Sequence, residues 1–292
     1  MKVRIHLIAI AISFWLLFSV SAPGTVTRAE DDKAAVPIST EEAVAEDIAQ
    51  VNCKDSERLA SVKRLFEKTG ASPENIVIEK QGGAENLYLR LKGQGPGTIV
   101  IGAHYDKTIN GCGAIDNWTG IVALAHIYKS LKDAPLQKNV VVVAFGKEEQ
   151  GLLGSRGMLK TITKEDATGY CAMINIDSLG MTAPQVADNL SSPGLALRTA
   201  KIAERMKMPF SRTRLANAGA DSLPFMEKKI PAITICGLET GWERILHSGF
   251  DQVKRVKPES VYLGYRLALS LLVELDALPC EAAREGTSLD GK

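Results

Sequence analysis

Four short segments of this chain run apolar almost without interruption, at 98–103, 140–145, 171–176 and 230–235. A strand with one wet face alternates apolar and polar residues. A strand apolar at consecutive positions has both faces covered. Between and after these runs lie stretches of helical period, at 120–131, 152–161, 193–206 and 258–275. Strand alternating with helix argues for an α/β fold, a three-layer α/β/α sandwich with a mixed, centrally parallel sheet. Residues 76–79 and 87–91 alternate apolar and polar side chains, which suits two half-buried strands. Upstream, Ser39-Thr40-Glu41-Glu42 combines a hydroxyl cap with acids in a first turn. A helical pattern follows to about Lys68, with a break expected near Asn52 and a stop at Gly70.

With 292 residues the chain is long enough for one large domain, expected over 40–278. Residues 30–39 read as a flexible leader and 279–292 as a polar tail. The 35 basic and 34 acidic residues nearly cancel, leaving a net charge of +1. That balance gives no electrostatic footprint for nucleic acid. Aromatic residues are sparse at 5%, too few for a base-stacking platform.

The first residues have the layout of an export signal. Lys2 and Arg4 precede an apolar run from Leu7 to Val20, followed by small residues. The run is shorter than the ~20 residues a spanning helix needs. Thr27-Arg28-Ala29 is a better cleavage site than Val20-Ser21-Ala22, which Pro23 follows. The expectation is a signal over 1–29, a periplasmic or secreted product, and no stable membrane association once the signal is removed. An uncleaved anchor is the alternative. The five cysteines, Cys53, Cys112, Cys171, Cys236 and Cys280, form no C-x-x-C pair, which argues against a thiolate metal site. In an exported protein one or two disulfides are expected, and the odd count leaves a thiol over. Cys171 with Cys236, and Cys53 with Cys280, are the pairings considered; Cys171 and Cys236 as inert core thiols is the other reading.

The chemistry-bearing residues stand at the ends of the apolar runs. The first run ends in His104-Tyr105-Asp106, the second leads to Glu148-Glu149, and the third ends at Asp177. His247 follows the fourth after a loop, and Asp116 precedes a helix. In open α/β sheets ligands bind beyond the carboxyl ends of the strands. Imidazole and carboxylate together suit zinc, and a carboxylate can bridge two ions. Of the other histidines, His6 lies in the signal and His126 reads as a helix-face residue. Lys92-Gly93-Gln94-Gly95-Pro96-Gly97 precedes a strand and reads as a turn, not a phosphate loop. Ser155 sits in a helix start and not in a nucleophile elbow, so a serine hydrolase is excluded.

The segments GAHYD (102–106), GAIDNWTG (113–120), FGKEEQGLLGS (145–155), NIDSLG (175–180) and ILHSGFD (245–251) resemble, in order, the co-catalytic di-zinc aminopeptidases. This group includes bacterial leucyl aminopeptidase and aminopeptidase Y, and the resemblance covers roughly 85–275. It implies the zinc exopeptidase fold and two zinc ions per chain. His104 and Asp177 would complete one zinc site, Glu149 and His247 the other, with Asp116 bridging. Glu148 would be the general base and acid. Asp106 would orient the His104 ring, as carboxylates do for zinc histidines. Three departures stand out. Ile115-Asp116-Asn117 carries one acid where the family often has two, and Trp118 replaces a small residue and is expected to shape the pocket. Gly219-Ala220-Asp221-Ser222 lacks the His of a family S-D-H loop. The stretch before His247 holds Trp242 and no Tyr. Asp251 supports His247 or caps the next element. The implied activity is removal of N-terminal residues from peptide substrates. The alternatives are a one-zinc glutaminyl cyclase, a carboxypeptidase, and a non-catalytic peptide-binding domain on the same scaffold.

Overall fold

The four apolar runs become four adjacent strands. A computed structural model describes residues 36–284. Helices α1 (Glu41–Ile48) and α2 (Asp55–Lys68) come first, then a hairpin of β1 (Val77–Gln81) and β2 (Ala84–Leu91). The next elements are β3 (Thr98–His104), α3 (Thr119–Leu131), β4 (Asn139–Phe145), α4 (Leu153–Lys160) and α5 (Lys164–Ala167). After them come β5 (Tyr170–Ile176), β6 (Gln185–Ala187), α6 (Pro193–Arg205), β7 (Ser211–Thr213) and α7 (Ser222–Glu227). β8 (Ala232–Cys236), α8 (Pro258–Ala277) and α9 (Glu281–Arg284) follow. The 8-stranded sheet has the order β1-β2-β4-β3-β5-β8-β6-β7. Its centre, β4-β3-β5-β8, is wholly parallel, and antiparallel pairings flank it on both sides.

Successive strand residues enter opposite cores, which is why both parities are apolar. Ile99, Ile101, Val140, Val142, Ile174, Ile233 and Ile235 pack with α1, α2, α3, α6 and α8. Val100, Val143, Phe145, Met173 and Ala232 pack on the other face with Met158, Leu159 and Phe225 from α4 and α7. Thr40 caps α1 by accepting the Ala43 N–H at 3.3 Å, and the pattern up to Lys68 divides into two helices around Asn52. The short strands β6 and β7, three residues each, escape sequence reading because they are too brief to show a period.

His126, on α3 as the helical pattern implies, faces the interior of the domain. Its Nδ1 is 2.8 Å from Ser39 Oγ, and its Nε2 faces Asp47 Oδ2 at 3.2 Å. Ser39, at the end of the stretch read as leader, is buried and donates its N–H to Tyr265. The expected signal and most of that leader fall outside the described residues, as do 285–292. The start of the expected tail is tied down: Cys280 bonds Cys171, and Ala283 is buried.

Both cysteine pairings considered from sequence are corrected. The bridges are Cys53–Cys112 and Cys171–Cys280, and Cys236 is a buried free thiol. The cause is strand direction. β5 and β8 run parallel with Met173 opposite Ala232, so Cys171 begins one strand while Cys236 ends its neighbour. Six residues at about 3.3 Å each separate them by about 20 Å. Cys53 and Cys280 likewise sit near opposite ends of the sheet. Among the described residues no helix is long and apolar enough to cross a membrane.

Candidate active site

Parallel central strands deliver their carboxyl ends to one edge, and there the sequence-selected residues meet. His104 is the last residue of β3, Asp177 follows β5, and Glu148 and Glu149 follow β4. Asp116 arrives on the segment before α3, and His247 on the loop after β8. His104 Nε2 lies 3.0 Å from Asp116 Oδ1 and 3.5 Å from Asp177 Oδ1. His247 Nε2 lies 3.0 Å from Asp116 Oδ2 and 3.1 Å from Glu149 Oε2. Each Asp116 oxygen therefore faces a different imidazole.

The result is two triads that could each hold a metal ion, His104-Asp116-Asp177 and Asp116-Glu149-His247, sharing one carboxylate. Within each, the ligand atoms lie within 4.8 Å of one another. Glu148 belongs to neither, but lines the same cleft.

The carboxylates of the cleft favour positive charge beside them. Burial works against protonating His104, but the Glu148 charge and hydrogen bonds with Asp106, Asp116 and Asp177 outweigh it and hold its pKa well up. Hydrogen bonds to Asp116 and Glu149 lift His247 from 6.5 to about 10. Burial raises Glu148 well above the usual carboxylate range; His104 opposes that shift, and the charges of Asp177, Asp221 and Asp116 reinforce it. Too many carboxylates crowd one cleft for all to ionise without a positive partner. Imidazole plus carboxylate is a donor set that fits zinc. Glu149 Oε1 is buried with no hydrogen-bond partner among the described residues, which leaves a free acceptor in one triad.

The surrounding bonds hold the ligands in place. Asp106 accepts the Glu148 and Glu149 N–H groups at 3.0 and 3.2 Å, joining the end of β3 to the turn after β4. Its approach to His104 Nδ1 is longer, at 3.5 Å. Asn117 Oδ1 accepts the N–H of Gly120 and of Ser178, and its amide donates to the Ile176 carbonyl. Asn117, the residue that stands beside the single acid, thus stitches the Asp116 segment to the Asp177 segment. Asp251 accepts the Ile115 and Asp116 N–H groups at 2.7 and 3.2 Å. It therefore supports the shared ligand, neither of the two roles read from sequence. Lys147, Ser178 and His247 adopt left-handed backbone (φ 57°, 60° and 58°) beside or at ligands, a conformation non-glycine residues hold at a cost.

Asp221 sits fully buried, and burial lifts its pKa to about 7 against the opposing pull of His104 and the Ser155 hydroxyl. Trp118 does not shape the cleft: it is buried, and its indole N–H donates to the Asp47 carbonyl. The cleft has a volume of about 600 Å³. Its apolar wall comes from Leu152, Leu190, Leu215, Leu238, Trp242 and Leu246.

Aminopeptidase YwaD of Bacillus subtilis is 24% identical over 187 residues, covering 61% of this chain and 41% of its own length. The chain spans less than two thirds of the length of this and other curated relatives it matches. The solved LapA aminopeptidase of Legionella pneumophila superposes with a TM-score of 0.68 at 20% identity, covering 85% of this chain and 78% of that one. A glutaminyl cyclase from an Acidobacteriales bacterium superposes at 0.70 with 18% identity, covering 84% of this chain and 97% of that one. These two likenesses are of fold. Residues 86–271 match the profile of peptidase family M28, and the chain belongs to that family.

Proposed function

We propose that the chain is an exported, two-zinc aminopeptidase that removes N-terminal residues from peptides. The observation that carries this reading is the pair of ligand triads sharing Asp116, with Glu148 beside them but in neither. His104, Asp116 and Asp177 would hold one ion; Asp116, Glu149 and His247 would hold the other. Zinc, when bound, supplies Lewis acidity that polarises a carbonyl and lowers the pKa of water.

The chain's own groups do the rest. Glu148, with its proton affinity raised by burial, takes the proton from the attacking water and delivers it to the leaving amine. Asp106, through the Glu148 and Glu149 N–H groups, keeps the base and its neighbouring ligand at fixed positions. The carboxylate-rich floor attracts the cationic N-terminus of a peptide, while the leucine-lined wall accepts an apolar side chain. The match to relatives named as aminopeptidases supports the same reaction.

Export rests on the signal-like residues 1–29 and on two disulfides, which persist in oxidising compartments. A glutaminyl cyclase is the second reading, favoured by the fold shared with one such enzyme. One panel separates the two. Purified protein should carry two zinc ions, hydrolyse aminoacyl substrates with a free amine, and leave N-acetylated versions intact. Cyclisation of N-terminal Gln peptides without hydrolysis would establish the cyclase instead.

A further inference from the structure

The matched family region begins at residue 86, yet the shared-ligand segment is also gripped from α2, upstream of it. Arg58 is a fully buried arginine. Among the described residues its guanidinium makes no ion pair within hydrogen-bonding distance, and each of its hydrogen bonds goes to a backbone carbonyl. Nε donates to Tyr105, the residue between His104 and Asp106. Nη1 donates to Asn52 at 3.1 Å and to Cys112 at 3.2 Å, and Nη2 donates to Gly113 at 3.1 Å. Beside it the Cys53–Cys112 bridge ties the approach to α2 to the same segment.

We propose that Arg58 and the Cys53–Cys112 bridge form a clamp that positions the segments bearing His104 and Asp116 for metal binding. The inference rests on the reading of this site as a zinc centre. Arg58 is a positioning residue: it touches neither ligand side chain and acts through the carbonyls beside them.

The geometry is specific. Segment 112–116 is held from two sides. Its carbonyls at Cys112 and Gly113 are taken by Arg58, and its N–H groups at Cys112, Ile115 and Asp116 are taken by the Asp251 carbonyl and carboxylate. Gly113 has φ +61°, and an added Cβ would lie 2.7 Å from Lys107 Cβ and 2.9 Å from the Asp116 carbonyl, so this turn has no slack. Aligned carbonyls that all point at one buried locus need a multi-pronged donor. Arginine offers a planar fork of five N–H groups, whereas lysine offers a compact point charge. The same guanidinium lies 5.6 Å from the Trp118 ring centroid and carries positive charge toward Asp106, Asp116 and Asp251. Burial pulls its pKa down to about 10, so it stays cationic near neutrality.

The test compares wild type, Arg58→Lys, Arg58→Met and the Cys53→Ser/Cys112→Ser double variant. Zinc affinity is measured by competition with a chelator, and thermal unfolding is followed on the metal-free proteins. Partners one step removed from metal ligands typically change metal affinity about 10–100-fold. The clamp predicts a loss of that order for Arg58→Lys even though the charge is kept, and a loss in the same direction for the double variant. A role confined to stability would lower the melting temperature of the metal-free protein and leave zinc affinity unchanged in the folded fraction; that result overturns the clamp. If the Arg58 variants do not fold, the double variant decides alone, and wild-type affinity there overturns it. Zinc binding absent from the wild type would instead remove the metal reading, and the clamp with it.

Discussion

Glu148 and Glu149 are adjacent, and the proposed function gives them different tasks that one pair of isosteric substitutions separates. Glu149 Oε2 sits 3.1 Å from His247 Nε2 within a ligand triad, while Glu148 lies in the cleft outside both triads. The backbone N–H of each is held by one oxygen of Asp106, so replacing either side chain with Gln leaves the turn in place. Glu148→Gln keeps size and hydrogen bonding but removes the base. A positioned general base contributes ~10²–10⁴-fold in rate. At ~1.36 kcal/mol per decade that is about 3–5 kcal/mol of barrier, so kcat should fall by that factor with both zinc ions retained. Glu149→Gln removes a charged ligand, so zinc should drop towards one per chain after dialysis, and added zinc should restore part of the rate. The assay is zinc per chain by atomic emission beside kcat on an aminoacyl anilide. If Glu148→Gln sheds metal while Glu149→Gln keeps it, the two roles are reversed. If neither substitution changes metal or rate, the hydrolase reading is wrong.

In the metal-free protein, Asp116 and Glu149 hold His247 protonated up to about 10. A raised folded pKa means this charge stabilises the metal-free fold fully below the ordinary 6.5, and the contribution disappears as pH rises through about 10. Zinc needs the neutral ring, so binding at neutral pH should release protons and tighten as pH rises; calorimetry in buffers of different ionisation enthalpy reads this, and pH-independent affinity refutes it. Peptide mapping without reduction should find Cys53–Cys112 and Cys171–Cys280, with Cys236 alkylated only after unfolding; any other connectivity refutes the assignment. Removing the Cys171–Cys280 bridge, which spans 109 residues, should cost about 2–5 kcal/mol in chemical denaturation, and an unchanged midpoint counts against its role. N-terminal sequencing of the mature protein should begin close to Glu30, and retention of Met1 would refute signal cleavage.

Much of the candidate site is legible in the sequence because most of its proposed ligands follow strands whose apolar runs are local signals. Once β3, β4, β5 and β8 are recognised as buried on both faces, parallel pairing places His104, Glu148, Glu149 and Asp177 at one edge of the sheet. Asp116 and His247 are legible through their motifs, since neither follows a strand directly. The supporting residues leave no such mark. Asp251 reaches Ile115 across 136 residues, and Arg58 reaches Gly113 across 55. On a sequence, Arg58 is one more charged residue on an amphipathic helix, and Asp221 is an acid in a loop missing its expected neighbour. Their burial, and the backbone carbonyls that Arg58 meets, exist only after α2 and the loops have packed.

The chain alone therefore determines the layer architecture, the strand ends and the types of ligand, because apolar periodicity and short motifs are properties of neighbouring residues. The tertiary structure alone decides the disulfide partners, the structural pairing of His126 with Ser39 and Asp47, and the bonds that hold Asp116. Those depend on strand direction and on contacts between distant segments. A buried polar group takes whichever partner the packed fold brings within hydrogen-bond distance, and that partner is set by three-dimensional closeness rather than by position along the chain.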